Sequence, residues 1–201
     1  MKMLAVITGD IINSREEKAE HWVKTLKKTL NQYGSEPKNW EIFRGDSFQL
    51  SLAPEKALLA ALHIKSTIKQ TKSLDVKIAI GIGEESYSPK KITEANGTAY
   101  VNSGECFDSL KKQTLGIRTP NEQFDRSINI MLGLSLLIAN HWSSTVSTVI
   151  RTAIEQPEKN QNNLAKLLKR SQSTISEALK RGGFDEIMQM NEFYLDNINS
   201  I

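Results

Sequence analysis

Hydrophobic and polar positions alternate along the chain in a way that calls for strands and helices in turn. Residues 3–7 form a nearly unbroken apolar run, as in a central strand buried on both faces, and the run stops at Thr8-Gly9-Asp10. Ser14-Arg-Glu-Glu17 has the form of a capping box, with Glu17 reaching back to the Ser14 amide; Trp22, Val23, Leu26 and Leu30 follow at helical spacing. A helix is therefore expected over residues 14–33. Residues 40–52 alternate on either side of Gly45-Asp46 and read as two strands of a hairpin. Pro54 and Glu55 open the next helix, whose stripe is Leu58, Leu59, Leu62, Ile64 and Ile68. Residues 76–82 alternate with period two and end in Gly81-Ile-Gly83. A polar stretch with Pro89, residues 84–96, reads as a long loop, and a short helix is expected over 102–111. Residues 123–135 are helical and apolar, and 140–144 is the natural break before the C-terminal part.

Composition narrows this picture. The chain has 201 residues, 39% hydrophobic and 24% charged, which suits one large globular domain or two small ones. A formal net charge of +3 is too small for a general polyanion binder, so any basic surface must be local. Cys106 is the single cysteine, and His21, His63 and His141 are too scattered for a metal finger. The N-terminus lacks a signal-peptide pattern, and residues 128–139 are too short for a membrane span. A cytoplasmic protein with no membrane partner is expected.

Residues 163–179 carry the clearest local pattern. Leu164, Ala165 and Leu168 mark the inner face of one short helix, and Ile175 and Leu179 the inner face of a second, with Ser171 placed to cap it. The outer face at the start of that second helix reads Gln172, Ser173, Thr174 and Ser176, short hydrogen-bonding side chains suited to base edges and phosphates. Lys166, Lys169, Arg170, Lys180 and Arg181 surround it against one acid, Glu177. An amphipathic helical hairpin with a solvated rim accounts for the leucines but not for the polar cluster. The stretch resembles the helix-turn-helix of bacterial regulators, which implies DNA as partner, with Lys169, Arg170, Ser171, Gln172, Ser173, Thr174, Ser176 and Lys180 at the interface. Such units commonly act as dimers, so a homodimer is expected, with Val146, Val149, Ile150, Ile187, Phe193 and Leu195 available for packing or for that contact.

In the first half, Asp10 ends the first strand and Asp46 sits in the hairpin turn. If the two strands are neighbours, both carboxylates project from one rim and could hold Mg²⁺ together with phosphates. For each acid the plain alternative stays open, a capped strand end for Asp10 and an ordinary turn residue for Asp46. Val6-Ile-Thr-Gly-Asp-Ile-Ile-Asn-Ser14 resembles the first metal motif of class III nucleotide cyclases. Phe43-Arg-Gly-Asp-Ser-Phe48 is similar to their Gly-Asp hairpin and to the Gly-Gly-Asp-Glu-Phe turn of diguanylate cyclases. Residues 76–83 resemble a later cyclase strand, and Gly97-Thr-Ala-Tyr-Val-Asn102 the segment with a transition-state Asn. With the tail included, the order of motifs resembles the SatD family of bacterial proteins.

The resemblance implies Asp10 and Asp46 as metal carboxylates, an oxygen from the Ile11 backbone, Asn13 and Ser14 near phosphates, and Asn102 facing the ribose or the transition state. Cyclases carry an Arg four residues after that Asn; here the position is Cys106, and Arg44 could substitute only by swinging inward. The expected fold is α+β, a ferredoxin-like or nucleotide-cyclase-like sheet flanked by helices (1–120), then a helical connector (121–144) and an all-α helix-turn-helix domain (145–201). The expected function is a DNA-binding transcriptional regulator with a degenerate, nucleotide-sensing cyclase-like domain; the alternative is a Mg-dependent nucleotide cyclase or nucleotidyltransferase. Gly81-Ile-Gly83 reads as a strand end and Cys106 as a small buried hydrophobe. Trp22 and Trp40 read as core, and Lys90-Lys91 as a solvated pair.

Overall fold

β1 (Lys2–Ile12) runs through the middle of a five-stranded sheet in a computed structural model that describes residues 2–201. The strand order is β2-β3-β1-β4-β5, with β2 Trp40–Phe43, β3 Ser47–Leu52, β4 Asp75–Glu85 and β5 Leu115–Arg118. β1 is antiparallel to β3 and β4, β2 pairs β3 as the expected hairpin, and β5 joins β4 in parallel, so the sheet is mixed. Burial on both faces explains the unbroken apolar run of β1. Ala5 and Ile7 enter the main core with Phe48, Leu50, Ile78 and Ile80, whereas Leu4 and Val6 pack on the opposite face with Ala99. The strand does not stop at Asp10 as expected: buried Ile11 carries it on, with Asp10 opposite Lys77 and Ile12 opposite Asp75.

Helices α1 (Ala19–Leu30) and α2 (Ala57–Ile68) share the main core with one sheet face, and α3 (Thr98–Ser109) lies on the other. The first helix starts five residues later than the Ser14 pattern suggests, because the capping box does not form. Ser14 Oγ donates instead to Asp46, Glu17 is extended, and Glu17 Oε1 accepts from Ser73 Oγ at 2.9 Å. α3 begins at Thr98, four residues before its expected start. Gly81-Ile-Gly83 lets it lie directly on β4: a β-carbon at Gly81 would stand 2.1 Å from the Ser103 amide nitrogen and 2.3 Å from the Ala99 carbonyl oxygen. β5, which the hydrophobic pattern does not announce, completes a β4-α3-β5 unit.

The rest of the chain is helical: α4 (Glu122–Ala139), α5 (Ser144–Glu155), α6 (Gln161–Leu168), α7 (Gln172–Gly182) and α8 (Phe184–Ile198). These helices share one continuous apolar core with the sheet, in which Ile175 and Tyr194 belong to the same cluster as Trp40 and Phe48. α2 is the common wall. Eleven of its twelve residues are buried, and it packs against β1 and β4 on one side and α5 and α8 on the other. Polar ties cross the same boundary: Tyr194 Oη donates to the Pro54 carbonyl at 2.6 Å, and Lys69 Nζ to the Asn140 carbonyl at 2.8 Å. Val146, Val149, Ile150 and Ile187 lie inside this core, so they pack the chain and are not available to a second one. Among the described residues, no helix is long and apolar enough to cross a membrane.

Candidate functional site: a polar helix tip and an acidic sheet rim

The polar cluster stands clear of the core at the start of α7. Lys169 adopts a left-handed conformation (φ 52°) that ends α6, and the Arg170 amide donates back to the Ala165 carbonyl at 3.0 Å. Three residues, Lys169 to Ser171, then turn the chain into α7. Ser171 caps that helix as expected, its Oγ accepting from the Thr174 amide at 3.2 Å. Leu164, Ala165, Ile175 and Ala178 are buried and fix the crossing of the two helices, while Leu168 and Leu179 are half-buried at its edge. Lys169, Arg170, Ser171, Gln172, Ser173 and Lys180 are exposed, and Thr174 and Ser176 are half-exposed. Gln172 Nε2 donates to Gln161 Oε1 at 2.7 Å, joining the tips of both helices. None of these cations forms an ion pair among the described residues; only Arg181 does, with Glu177 at 3.4 Å.

The rim at the end of β1 and β3 carries the two acids. Asp10 is paired in register with Ser47, whose Oγ donates to Asp10 Oδ1 at 2.8 Å. Asp46, one residue earlier, accepts from Ser14 Oγ at 2.6 Å through Oδ2, and its carbonyl accepts from the Ile11 amide at 3.2 Å. Asn13 is left-handed (φ 63°), and its Nδ2 donates to the Ser73 carbonyl at 3.1 Å. Arg44 is exposed at the hairpin turn with φ 54°. Each carboxylate thus has one oxygen engaged by a hydroxyl, while the other accepts no hydrogen bond among the described residues. That donor set suits a Mg²⁺ that arrives with phosphates and keeps much of its water. It does not suit a metal held by protein alone, since no cluster of three His, Cys, Asp or Glu side chains exists among the described residues.

Asn102 does not join this rim. Its Nδ2 donates to the Ile82 carbonyl at 2.7 Å, five residues along β4 from Lys77, the partner of Asp10. Five strand residues separate the two levels by roughly 16 Å. Asn102 instead lines a cavity of about 450 Å³ with Cys106, Arg118, Asp125 and Asn129. Burial pushes the Cys106 thiol up to about 11, in keeping with a packing role beside Ala79 and Leu110. The group missed at the rim is Lys77. Its register opposite Asp10 places it on the α3 side, and its Nζ lies 4.4 Å from the Phe107 ring centre. The period-two pattern of β4 puts Lys77 on the face of Ala79 and Gly81, a signal present in the sequence but read only for its apolar half.

Two buried polar clusters were also invisible to spacing. His63 Nδ1 meets Tyr33 Oη at 2.8 Å, and His63 Nε2 meets Glu155 Oε1 at 3.2 Å, joining the turn after α1 to α2 and α5. Burial holds His63 below its ordinary range against the pull of Glu155. Lys65 is fully buried, with Nζ 2.7 Å from Asp75 Oδ1 and 3.0 Å from Thr114 Oγ1. Its burial lowers the ammonium to about 8, Asp75 opposing the shift.

A mixed sheet with helices on both faces, an acidic rim at one end and a polar, cation-flanked helix tip in the tail define an α+β protein with two separate polar surfaces. The model of the SatD family matches residues 3–193, and the chain belongs to that family. No curated protein matches it.

Proposed function

We propose that the protein is a DNA-binding regulator that docks the N-terminal end of α7 on duplex DNA, and that the Asp10–Asp46 rim receives a nucleotide-type effector together with Mg²⁺. The observation that carries the DNA reading is the solvent-facing tip of α7: Gln172 and Ser173 are open, the hydroxyls of Ser171 and Thr174 are gathered at the helix start, and Lys169 and Arg170 flank them. Amides at a helix start, hydroxyls and unpaired cations are the groups that hold phosphates and set a recognition helix in the major groove. Fluorescence anisotropy on a labelled duplex across a salt series tests it. Binding that weakens with salt, and a slope smaller by about one in Arg170→Ala, is expected; identical curves for both proteins would remove the phosphate contact.

For the rim, thermal shift with ATP or GTP, with and without Mg²⁺, is the direct measurement. A shift that disappears in Asp10→Asn and Asp46→Asn supports the effector reading, and a shift that survives both places the ligand elsewhere. Turnover, as a nucleotide cyclase or nucleotidyltransferase, is the second reading. Lys77 favours it, as a cation at the level of Asp10 that position 106 does not provide. The engagement of Asn102 with Ile82 weighs against it. Chromatography of ATP and GTP after incubation with Mg²⁺ decides between sensing and turnover.

A further inference from the structure

We infer that α4 is the contact between two copies of this chain, paired antiparallel about a two-fold axis near Leu134. The inference does not depend on DNA binding. α4 is apolar on both sides. Phe124, Ile128, Leu132, Leu136 and Ala139 enter the core, yet Ile130 is 58% exposed, Leu134 63%, Leu137 70% and Ile138 43%. Those four hold nearly half of the large exposed hydrophobics of the described residues. Steps of four and three residues from Ile130 to Leu134 to Leu137 place them on one seam about 12 Å long, the spacing of helices packed on one another. A monomeric surface rarely gathers its large aliphatic side chains in this way.

The polarity of the seam selects a second copy as its occupant. Measured from Leu134, the apolar positions stand at minus four (Ile130), minus three (Met131, half-buried), plus three (Leu137) and plus four (Ile138); Ser127 at minus seven is polar, and the helix ends at Ala139, two residues before the exposed His141. Reversing one copy about Leu134 therefore sets Ile130 against the other copy's Ile138 and Met131 against its Leu137, apolar on apolar. The antiparallel arrangement also opposes the two helix dipoles. Gly133, on the flank of the seam, adds no side chain there. A lipid surface would call for a fringe of Lys and Arg, and Arg126 is the only cation on α4.

Sedimentation of the full chain tests this without DNA or nucleotide. A dimer at micromolar concentration is expected, and the exposed pair Leu134→Glu with Leu137→Glu should raise its dissociation constant on the order of a hundredfold while circular dichroism stays unchanged. Leu134→Cys should form a covalent dimer under mild oxidation, because the axis brings position 134 against itself; Cys106 is buried and contributes little background. Val101→Cys, on exposed α3, should not. A wild-type chain that sediments as a monomer, a dimer that survives the double glutamate change, or a Leu134→Cys protein that crosslinks no better than Val101→Cys would overturn the assignment. So would a monomer that floats with phosphatidylcholine–phosphatidylglycerol vesicles, which would give the seam to lipid.

Discussion

Asn129 and Ile117 exchange two hydrogen bonds: Asn129 Oδ1 accepts from the Ile117 amide at 2.9 Å, and its Nδ2 donates to the Ile117 carbonyl at 2.7 Å. The side-chain amide occupies the place of a sixth strand. Asp125 extends the cover by accepting from the Thr119 amide at 2.9 Å. The outer edge of β5 is thereby closed by two side chains of α4, which removes a template for strand addition.

Asn129→Leu should leave both groups of buried Ile117 without partners. A cost of about 1–3 kcal/mol for each is expected. Urea unfolding checks it, with a lower midpoint at an unchanged slope, and the variant should aggregate more readily on warming.

At Gly81 the objection to a side chain is backbone, not a movable neighbour. Gly81→Ala should destabilise the fold by about 1–3 kcal/mol as an overpacked core does, and it should lift α3 from β4. The readout is Cys106, a residue of α3 buried against Ala79: its reaction with a thiol reagent should speed up under conditions where the wild type is inert.

Lys65 makes stability depend on alkaline pH. Its ammonium titrates at about 8 in the folded chain, from an ordinary value of 10.5. Between those values the unfolded chain binds the extra proton, so this group's contribution to stability rises as pH climbs from 8 to 10.5 and is flat below 8. In Lys65→Met that rise should vanish, which denaturant titrations at pH 7, 9 and 10.5 would show. An equal rise in both proteins would assign it to other groups.

Ser171→Ala removes the cap of α7 without touching the core. A loss of about 1 kcal/mol is expected, concentrated at the helix start. Amide exchange at Thr174 and Ile175 should accelerate while the melting temperature changes little. DNA affinity should fall if the proposed interface is the one used.

Local chemistry was legible in the sequence, and long-range competition was not. The α6–α7 turn was readable because its cap, its small Ala165 and its buried Ile175 lie within eleven residues of one another. The hairpin around Gly45-Asp46 was readable for the same reason. Ser14 offered an equally local motif, yet a carboxylate 32 residues away took its hydroxyl. β5 was hidden because four residues, one of them Gly116, carry too little pattern, and its pairing waits on the crossover through α3. Asn102 was misplaced because its helix starts at Thr98, and which way each of its residues points follows from where α3 meets β4.

α2 has a consequence for how such a chain can be divided. Sheet-side and tail-side partners both depend on it for their apolar cover; its Lys65 and the Lys69 that follows it both form salt bridges with Asp75, and Lys69 also reaches Asn140. Cutting between α4 and α5 would leave the first fragment with bare leucines and isoleucines, and the second without a floor. The tail is consequently no interchangeable cassette: grafted onto another protein, it would have to bring α2 with it.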